Sequence, residues 1–138
     1  MNADAAQMNV LQIRERERLN DISRRVIGSA HCVSSALGHG FLEKVYENAL
    51  CIEMTHRELK VMQQVPLQVF YAGRVVGDYI PDILVEDCLV LEIKAVPSIG
   101  RVQRQQCLNY LREANLRLGL VLNFGTAHLE VGRIVYRF

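Results

Sequence analysis

The chain has 138 residues, of which 50% are hydrophobic and 22% are charged, so it can bury a core and should form one compact domain. Its 16 Lys and Arg residues against 15 Asp and Glu residues give a net charge of +1, which argues against a general polybasic surface but leaves room for a local basic groove. The longest apolar runs, such as residues 118–122 and 88–93, fall far short of the roughly 20 residues that span a bilayer. The N-terminal residues also lack a signal-peptide core, so we expect a cytoplasmic protein without a membrane segment.

The four cysteines and four histidines do not predict a metal site. No CxxC pair is present, and each cysteine lies in an apolar context, where a reduced and buried thiol behaves as a small hydrophobic residue. A four-thiolate zinc site is the alternative, and the wide spacing of the cysteines disfavours it.

The N-terminal part of the chain is predicted to be helical. Apolar residues recur at about every 3.6 positions from Arg14 to Leu37, which indicates an amphipathic helix. We interpret residues 1–25 as a helical lead-in and residues 26–138 as the single folded domain. Glycines at positions 38 and 40 interrupt the pattern, and a second helix is expected from Phe41 to about Leu59.

After the second helix the hydrophobic period changes from 3.6 to two, which is typical of half-buried strands. Strands are predicted at residues 65–71, 75–85 and 88–96. The first pair is joined by a turn at Ala72-Gly73 and the second by a turn at Glu86-Asp87, so the three strands should form an antiparallel meander.

The C-terminal part returns to the same sheet through a crossover helix. Helical spacing from Val102 to Ala114 precedes a continuous apolar run from Leu116 to Phe124, which is typical of a strand buried on both faces. Residues 134–138 are expected to add an edge strand. The predicted order is two helices, three strands, a helix and a strand, which is an α/β fold with a mixed central sheet flanked by helices.

Three charged residues lie within the predicted meander. Asp82 belongs to one strand, and Glu92 and Lys94 flank Ile93 in the next, so the last two side chains share one face of the sheet. Burying ionised groups costs several kcal/mol each unless they pair or bind a metal. The alternative is an ordinary polar face on a half-exposed strand, with Asp82 on the surface beside a proline.

This segment resembles the active site of the PD-(D/E)xK nuclease superfamily, with Pro81-Asp82 followed by Glu92-Ile93-Lys94. More narrowly, residues 40–46, GFLEKVY, are similar to the signature of the bacterial GxxExxY proteins. The resemblance extends from about Val26 to Phe124. It implies a restriction-endonuclease-like fold with an αβββαβ core.

The resemblance also implies roles for the residues of the Asp, Glu and Lys motif. Asp82 and Glu92 would hold Mg²⁺ or Mn²⁺ together with the backbone carbonyl of Ile93, because these hard cations prefer oxygen ligands. Lys94 would orient the attacking water or stabilise charge in the transition state.

Glu43 on the second helix is similar to the helix glutamate that some superfamily branches contribute to the metal site, and we interpret it as a further catalytic residue and metal ligand. The alternative is a carboxylate placed near a helix N-terminus by the helix dipole. Glu47, one turn later, is expected to be solvated or salt-bridged.

The crossover helix carries two further groups of candidates. Gln106 and Tyr110 stand at i and i+4 and resemble the QxxxY helix motif that borders the active site in related nucleases; without that resemblance Tyr110 would be a core or rim aromatic. Arg101, Arg104 and Arg112 are candidate phosphate contacts, although lone arginines on a helix are usually solvated.

The function expected from these features is a metal-dependent deoxyribonuclease that hydrolyses phosphodiester bonds of DNA. The sequence leaves RNA open as a substrate and does not define its structure. The alternative is a catalytically weak nucleic-acid-binding or protein-interaction module on the same fold. A third interpretation, a small structural or regulatory module that forms a homodimer through the Arg14 to Leu37 helix, is compatible with both.

Overall fold

A mixed five-stranded sheet with helices on both faces is the centre of the computed structural model, which describes residues 3–138. The helices are α1 (Ala3–Leu37), α2 (Glu43–His56) and α3 (Arg101–Ala114). The strands are β1 (Val61–Gln63), β2 (Leu67–Tyr71), β3 (Arg74–Tyr79), β4 (Ile83–Val85), β5 (Leu89–Lys94), β6 (Leu118–Asn123) and β7 (Glu130–Val135). The sheet has the order β1-β4-β5-β6-β7, and only the β5–β6 pair is parallel. Within the described residues, no helix is long and apolar enough to cross a membrane.

The two faces of the sheet are buried by different helices. Leu91 and Ile93 of β5 belong to the core that α1 and α2 cover, whereas Val90 packs with Cys107 and Leu111 of α3. Side chains alternate along a strand, so the even-numbered residues of β5 face α3. Glu92 and Lys94 therefore lie on the α3 side of the sheet.

The predicted fold class is confirmed, and both tight turns form where the sequence indicates them. Ala72 and Gly73 have φ values of 52° and 76°, and Glu86 and Asp87 have values of 51° and 58°. Two consecutive residues with positive φ give the turn twist that matches a β-hairpin. The crossover helix and the buried strand after it also form, within two residues of their predicted bounds.

The two N-terminal helices differ in length from the prediction. α1 already begins at Ala3, so the helical lead-in continues without a break into the rest of the helix. α2 starts at Glu43 rather than Phe41, and it ends at His56 because Glu58 adopts a positive φ of 63°. Among the cysteines, Cys32 is exposed, which contradicts its predicted burial; its Sγ accepts a hydrogen bond from Arg57 at 2.9 Å.

The predicted three-stranded meander is wrong. The expected strand 75–85 is split into β3 and β4 around Pro81, whose ring removes the N–H that a continuous ladder needs. β2 and β3 pair only with each other, as a separate two-stranded hairpin. The place beside β4 is taken by β1, which the sequence analysis did not predict. The last strand is also earlier than expected, at Glu130–Val135.

A buried asparagine fixes the loop that follows β5. Asn123 accepts hydrogen bonds from the backbone N–H groups of Val96 and Gly125, both at 3.0 Å, and donates to the Val96 carbonyl at 2.9 Å. It also donates to the Glu130 carboxylate, which accepts a bond from Ile99 N–H at 2.8 Å. All polar atoms of the Asn123 amide are thus used, and the chain just after Lys94 is held in one position.

Gly125 is predicted to be intolerant of a side chain. A Cβ atom there would lie 2.5 Å from the backbone N and O of Val96, and backbone cannot move aside as a flexible side chain can. We expect Gly125→Ala to lower the free energy of unfolding by about 1–3 kcal/mol in urea titrations. Gly77→Ala is the matched control, because a Cβ at Gly77 meets no atom within 4 Å. Equal stability of the two variants would contradict this packing.

Candidate active site

Asp82 and Glu92 face each other across two adjacent strands. The β4–β5 register pairs Ile83 with Leu91, so one further step sets Asp82 opposite Glu92. Directly opposed side chains in an antiparallel pair have Cβ atoms about 5 Å apart and share a face of the sheet. The Asp82 carboxylate also accepts a hydrogen bond from the backbone N–H of Ile93 at 2.7 Å, which fixes it beside β5.

Glu92 lies in an environment that opposes its ionisation. Its side chain is half-buried, and its pKa is raised to about 8, first by burial and then by the negative charge of Asp82. A hydrogen bond between the two carboxyl groups raises this pKa further, and the positive charge of Lys94 lowers it. The hydroxyl of Tyr79, the last residue of β3, donates to Glu92 Oε1 at 3.0 Å.

The backbone of β5 adds an oxygen to this group. The carbonyl of Lys94 accepts a hydrogen bond from Phe124 N–H at 2.8 Å, on the side of β6. Carbonyls of successive strand residues point to opposite edges, so the carbonyl of Ile93 points towards β4, where the N–H of the same residue already binds Asp82. Two carboxylates and one carbonyl therefore converge at the start of β4.

The N-terminus of α2 borders the same end of β5. Glu43 is exposed, and its Oε1 accepts a hydrogen bond from the backbone N–H of Ala95 at 3.3 Å, directly after Lys94. The structure thus brings Glu43 to the edge of the candidate site. In the part of the chain that is described, it does not join the two carboxylates in a cluster of three metal-ligating side chains.

Glu47 is salt-bridged, as expected, but it is also buried, with only 4% of its surface exposed. It accepts hydrogen bonds from Lys44 at 2.9 Å, from Gln63 at 2.7 Å and from Gln64 at 3.2 Å. The bond to Glu47 is the main reason that the pKa of Lys44 is raised, and the charge of Asp82 contributes. The charge of Glu47 also makes a small contribution to raising the pKa of Glu92.

The two candidates of the QxxxY motif lie in different environments on α3. Tyr110 is buried, its ring contacts that of Tyr79, and within the described structure its hydroxyl has no hydrogen-bond partner. Burial raises the pKa of Tyr110, so the hydroxyl stays neutral. Gln106 is exposed one turn earlier. Tyr110 therefore borders the candidate site through Tyr79, and Gln106 lies further out.

The three candidate phosphate contacts are exposed on α3, and they point in different directions. The guanidinium of Arg104 lies over Gly132 of β7, and its charge contributes to lowering the pKa of Glu130. Arg112 donates to Asn109 at 3.1 Å and lines a cavity of about 270 Å³ between α3 and the β2–β3 hairpin. Arg101 is the first residue of α3.

The donor set suits a hard divalent cation. Two carboxylates and a carbonyl are oxygen ligands of the kind that Mg²⁺ binds together with several waters. The raised pKa of Glu92 points the same way, because a cation between the carboxyl groups would relieve the repulsion that raises it. Among the side chains that the structure describes, no group of three or more from His, Cys, Asp and Glu offers an alternative metal centre.

Two features of the site, the position of Tyr79 and the buried state of Glu47, were not predicted from the sequence. Tyr79 lies only three residues before Asp82, but the predicted continuous strand gave it no special position. The burial of Glu47 depends on amides from β1 and the residue after it, which are distant in sequence and gave no local signal.

Comparison with known proteins connects this geometry with one family. A family model described as the PD-(D/E)XK nuclease superfamily matches residues 20–134. No curated protein and no solved structure matches the chain. The family model does not extend to the narrower GxxExxY family, so that membership stays a prediction.

The raised pKa of Glu92 predicts a pH-dependent cost to stability. The folded-state pKa of about 8 exceeds the usual value of 4.5, so the folded protein binds this proton more tightly than the unfolded chain. The Glu92 carboxyl makes its full contribution to the free energy of unfolding below pH 4.5, and this contribution is lost as the pH rises through 8. We therefore expect the melting temperature of Glu92→Gln, relative to that of the wild type, to rise as the pH increases from 4.5 to 8.

Thermal melts of the metal-free protein across that pH range measure the difference. The control is Glu113→Gln, which removes the same charge from an exposed position on α3 and should follow the wild-type profile. A Glu92→Gln profile parallel to the wild type would show that Glu92 ionises as a solvated carboxylate does.

Proposed function

The chain belongs to the PD-(D/E)XK nuclease superfamily, and on this premise we propose that it is a metal-dependent nuclease that hydrolyses phosphodiester bonds of DNA. Members of this superfamily are usually nucleases and generally use divalent metals such as Mg²⁺. The proposal adds the metal dependence, the DNA substrate and the active residues of this particular chain.

The single observation that carries the proposal is the position of Asp82 against Glu92. The charge of Asp82 raises the pKa of half-buried Glu92, so the two carboxyl groups repel each other when both are ionised. Lys94, on the same strand face as Glu92, offsets only part of that repulsion, because its effect on the Glu92 pKa is smaller than that of Asp82. A site that gathers excess negative charge in a half-buried position is suited to a divalent cation.

We assign the metal-binding role to Asp82, Glu92 and the carbonyl of Ile93. A bound Mg²⁺ or Mn²⁺ supplies a Lewis acid that makes a water acidic and neutralises charge on the phosphate. The N–H of Ile93 keeps the Asp82 carboxylate on the metal side of β5, and burial keeps the Glu92 carboxylate poorly solvated. Lys94 is placed to orient the attacking water or to stabilise negative charge on the scissile phosphate.

The remaining candidates take outer roles in this proposal. Glu43 reaches the end of β5 and could complete the ligand set through a metal-bound water. Tyr110 and Gln106 form the α3 wall of the site, with Tyr110 as the inner residue. Arg101, Arg104 and Arg112 are proposed to contact phosphates of the DNA away from the reacting bond.

A homodimer through α1 and a cytoplasmic location remain predictions. The exposed apolar residues Val10, Leu11 and Ile13 of α1 precede the Arg14 to Leu37 segment for which the dimer is predicted. Whether the protein also cleaves RNA is tested by including RNA among the substrates of the cleavage assay.

Cleavage assays on supercoiled, linear and branched DNA, and on RNA, with Mn²⁺, Mg²⁺ or EDTA test the proposal. We expect wild-type cleavage only with metal, and a fall of at least about 100-fold in rate for Asp82→Asn, Glu92→Gln and Lys94→Met, since each removes charge that acts on the transition state. Mn²⁺ should raise the melting temperature of the wild type and of Lys94→Met, but not that of Asp82→Asn.

Asp87→Asn and Lys60→Met are matched controls. These two residues form an exposed ion pair at 2.9 Å at the far end of β4 and β5, and their replacement should leave cleavage unchanged. The alternative function, a catalytically weak binding module, predicts nucleic-acid binding without turnover. A large loss of melting temperature in Asp82→Asn, together with no Mn²⁺-induced shift in the wild type, would reject the nuclease mechanism.

A further inference from the structure

We infer that Tyr79 is a positioning residue for Glu92: its hydroxyl holds Oε1 of the carboxylate and leaves Oε2 to bind a cation beside Asp82. The inference rests on the proposed function in so far as it takes Glu92 to be a metal ligand. It adds a residue of the β2–β3 hairpin to a site that otherwise consists of the central sheet and its helices.

The hairpin reaches the active site only through its last residue. Tyr79 pairs with Leu67 at the open end of the hairpin, and Ile80 and Pro81 then carry the chain to Asp82. The opposite end, with the turn at Ala72-Gly73, is exposed. The same short segment therefore delivers both a metal ligand and the hydroxyl that contacts the second ligand.

The position of Tyr79 follows from the hairpin register and from its place against α3. Tyr79 pairs with Leu67 in the β2–β3 ladder, its ring contacts Tyr110, and both residues line the cavity between α3 and the hairpin. Its hydroxyl is a directed donor that lies 3.0 Å from Glu92 Oε1. The Tyr110 hydroxyl has no partner in the described residues, so only one of the two tyrosines acts on the carboxylate.

A directed hydrogen bond matters at this carboxylate because its other neighbours do not orient it in the same way. Asp82 repels it when ionised, and Lys94 attracts it from the same strand face. Without the Tyr79 hydroxyl, Glu92 could rotate towards the Lys94 ammonium and lose its orientation for a cation. Hydrogen bonds to metal-ligating carboxylates typically account for 10–100-fold in metal affinity or activity.

The test is a calorimetric titration of the metal-free full chain with MnCl₂. Tyr79→Phe should raise the Mn²⁺ dissociation constant by about 10-fold or more. In cleavage assays the metal concentration for half-maximal rate should rise by the same factor, while the rate at saturating Mn²⁺ largely recovers. Tyr71→Phe, which removes a hydroxyl from an exposed tyrosine of the same hairpin, is the matched control and should leave both quantities unchanged.

A double-mutant cycle in urea unfolding gives a readout that requires neither metal nor activity. Tyr79→Phe and Glu92→Leu should be non-additive in the free energy of unfolding, because either change removes the same hydrogen bond. Additive effects would overturn the inference. A Tyr79→Phe chain that does not fold would overturn it as well, since the hydroxyl would then be a structural requirement.

The outcomes separate this inference from the proposed function. If the wild type binds Mn²⁺ and Tyr79→Phe binds it with the same dissociation constant, the positioning role is wrong and the metal site stands. If the wild type neither binds Mn²⁺ nor cleaves any substrate, the proposed function fails and the positioning role fails with it.

Discussion

The repulsion between two carboxyl groups on adjacent strands is the constraint around which the site is built. Asp82 and Glu92 are opposed in register, and burial denies Glu92 the water that would stabilise its charge. The protein offers each carboxylate one directed donor, the N–H of Ile93 and the hydroxyl of Tyr79. Those bonds orient the carboxyl groups, and the raised pKa of Glu92 shows that they do not compensate its charge.

The surrounding fold holds these two mutually repelling carboxyl groups in place through contacts on both sides of β5. Pro81 interrupts the ladder just before β4, so that β3 leaves the sheet and Asp82 enters it opposite Glu92. On the far side of β5, the amide of Asn123 ties down the loop that begins after Lys94. A site that must hold charges at short range benefits from supports of this kind, because small displacements change electrostatic energies strongly.

The ion pair of Lys44 and Glu47 explains why lysines do not simply neutralise Asp82 and Glu92. Lys44 is close enough for Asp82 to raise its pKa, yet its ammonium is bound to Glu47. The Glu47 carboxylate also accepts hydrogen bonds from the side-chain amides of Gln63 and Gln64. Its hydrogen bonds are therefore made without Asp82 or Glu92. Lys94 is then the cation left to act on Glu92 from the same face of β5.

Much of the site and of the fold class could be predicted from the sequence, because the relevant signals are local. Alternation along β5 places Glu92 and Lys94 on one face, and the turn at Glu86-Asp87 sets β4 against β5. The position of β1 could not be predicted, since its three residues carry no measurable periodicity. The contact between Tyr79 and Glu92 was equally hidden, because Pro81 marks where the hairpin leaves the sheet but not where the hairpin then packs.

The most direct test of the central claim is anomalous diffraction from crystals of the protein soaked in Mn²⁺. The account predicts an anomalous peak within coordination distance of one oxygen each from Asp82, Glu92 and the Ile93 carbonyl, at about 2.0–2.6 Å. It would be contradicted by crystals that show no peak at this site and place the Lys94 ammonium between the two carboxylates, since the acidic pair would then be a structural ion pair.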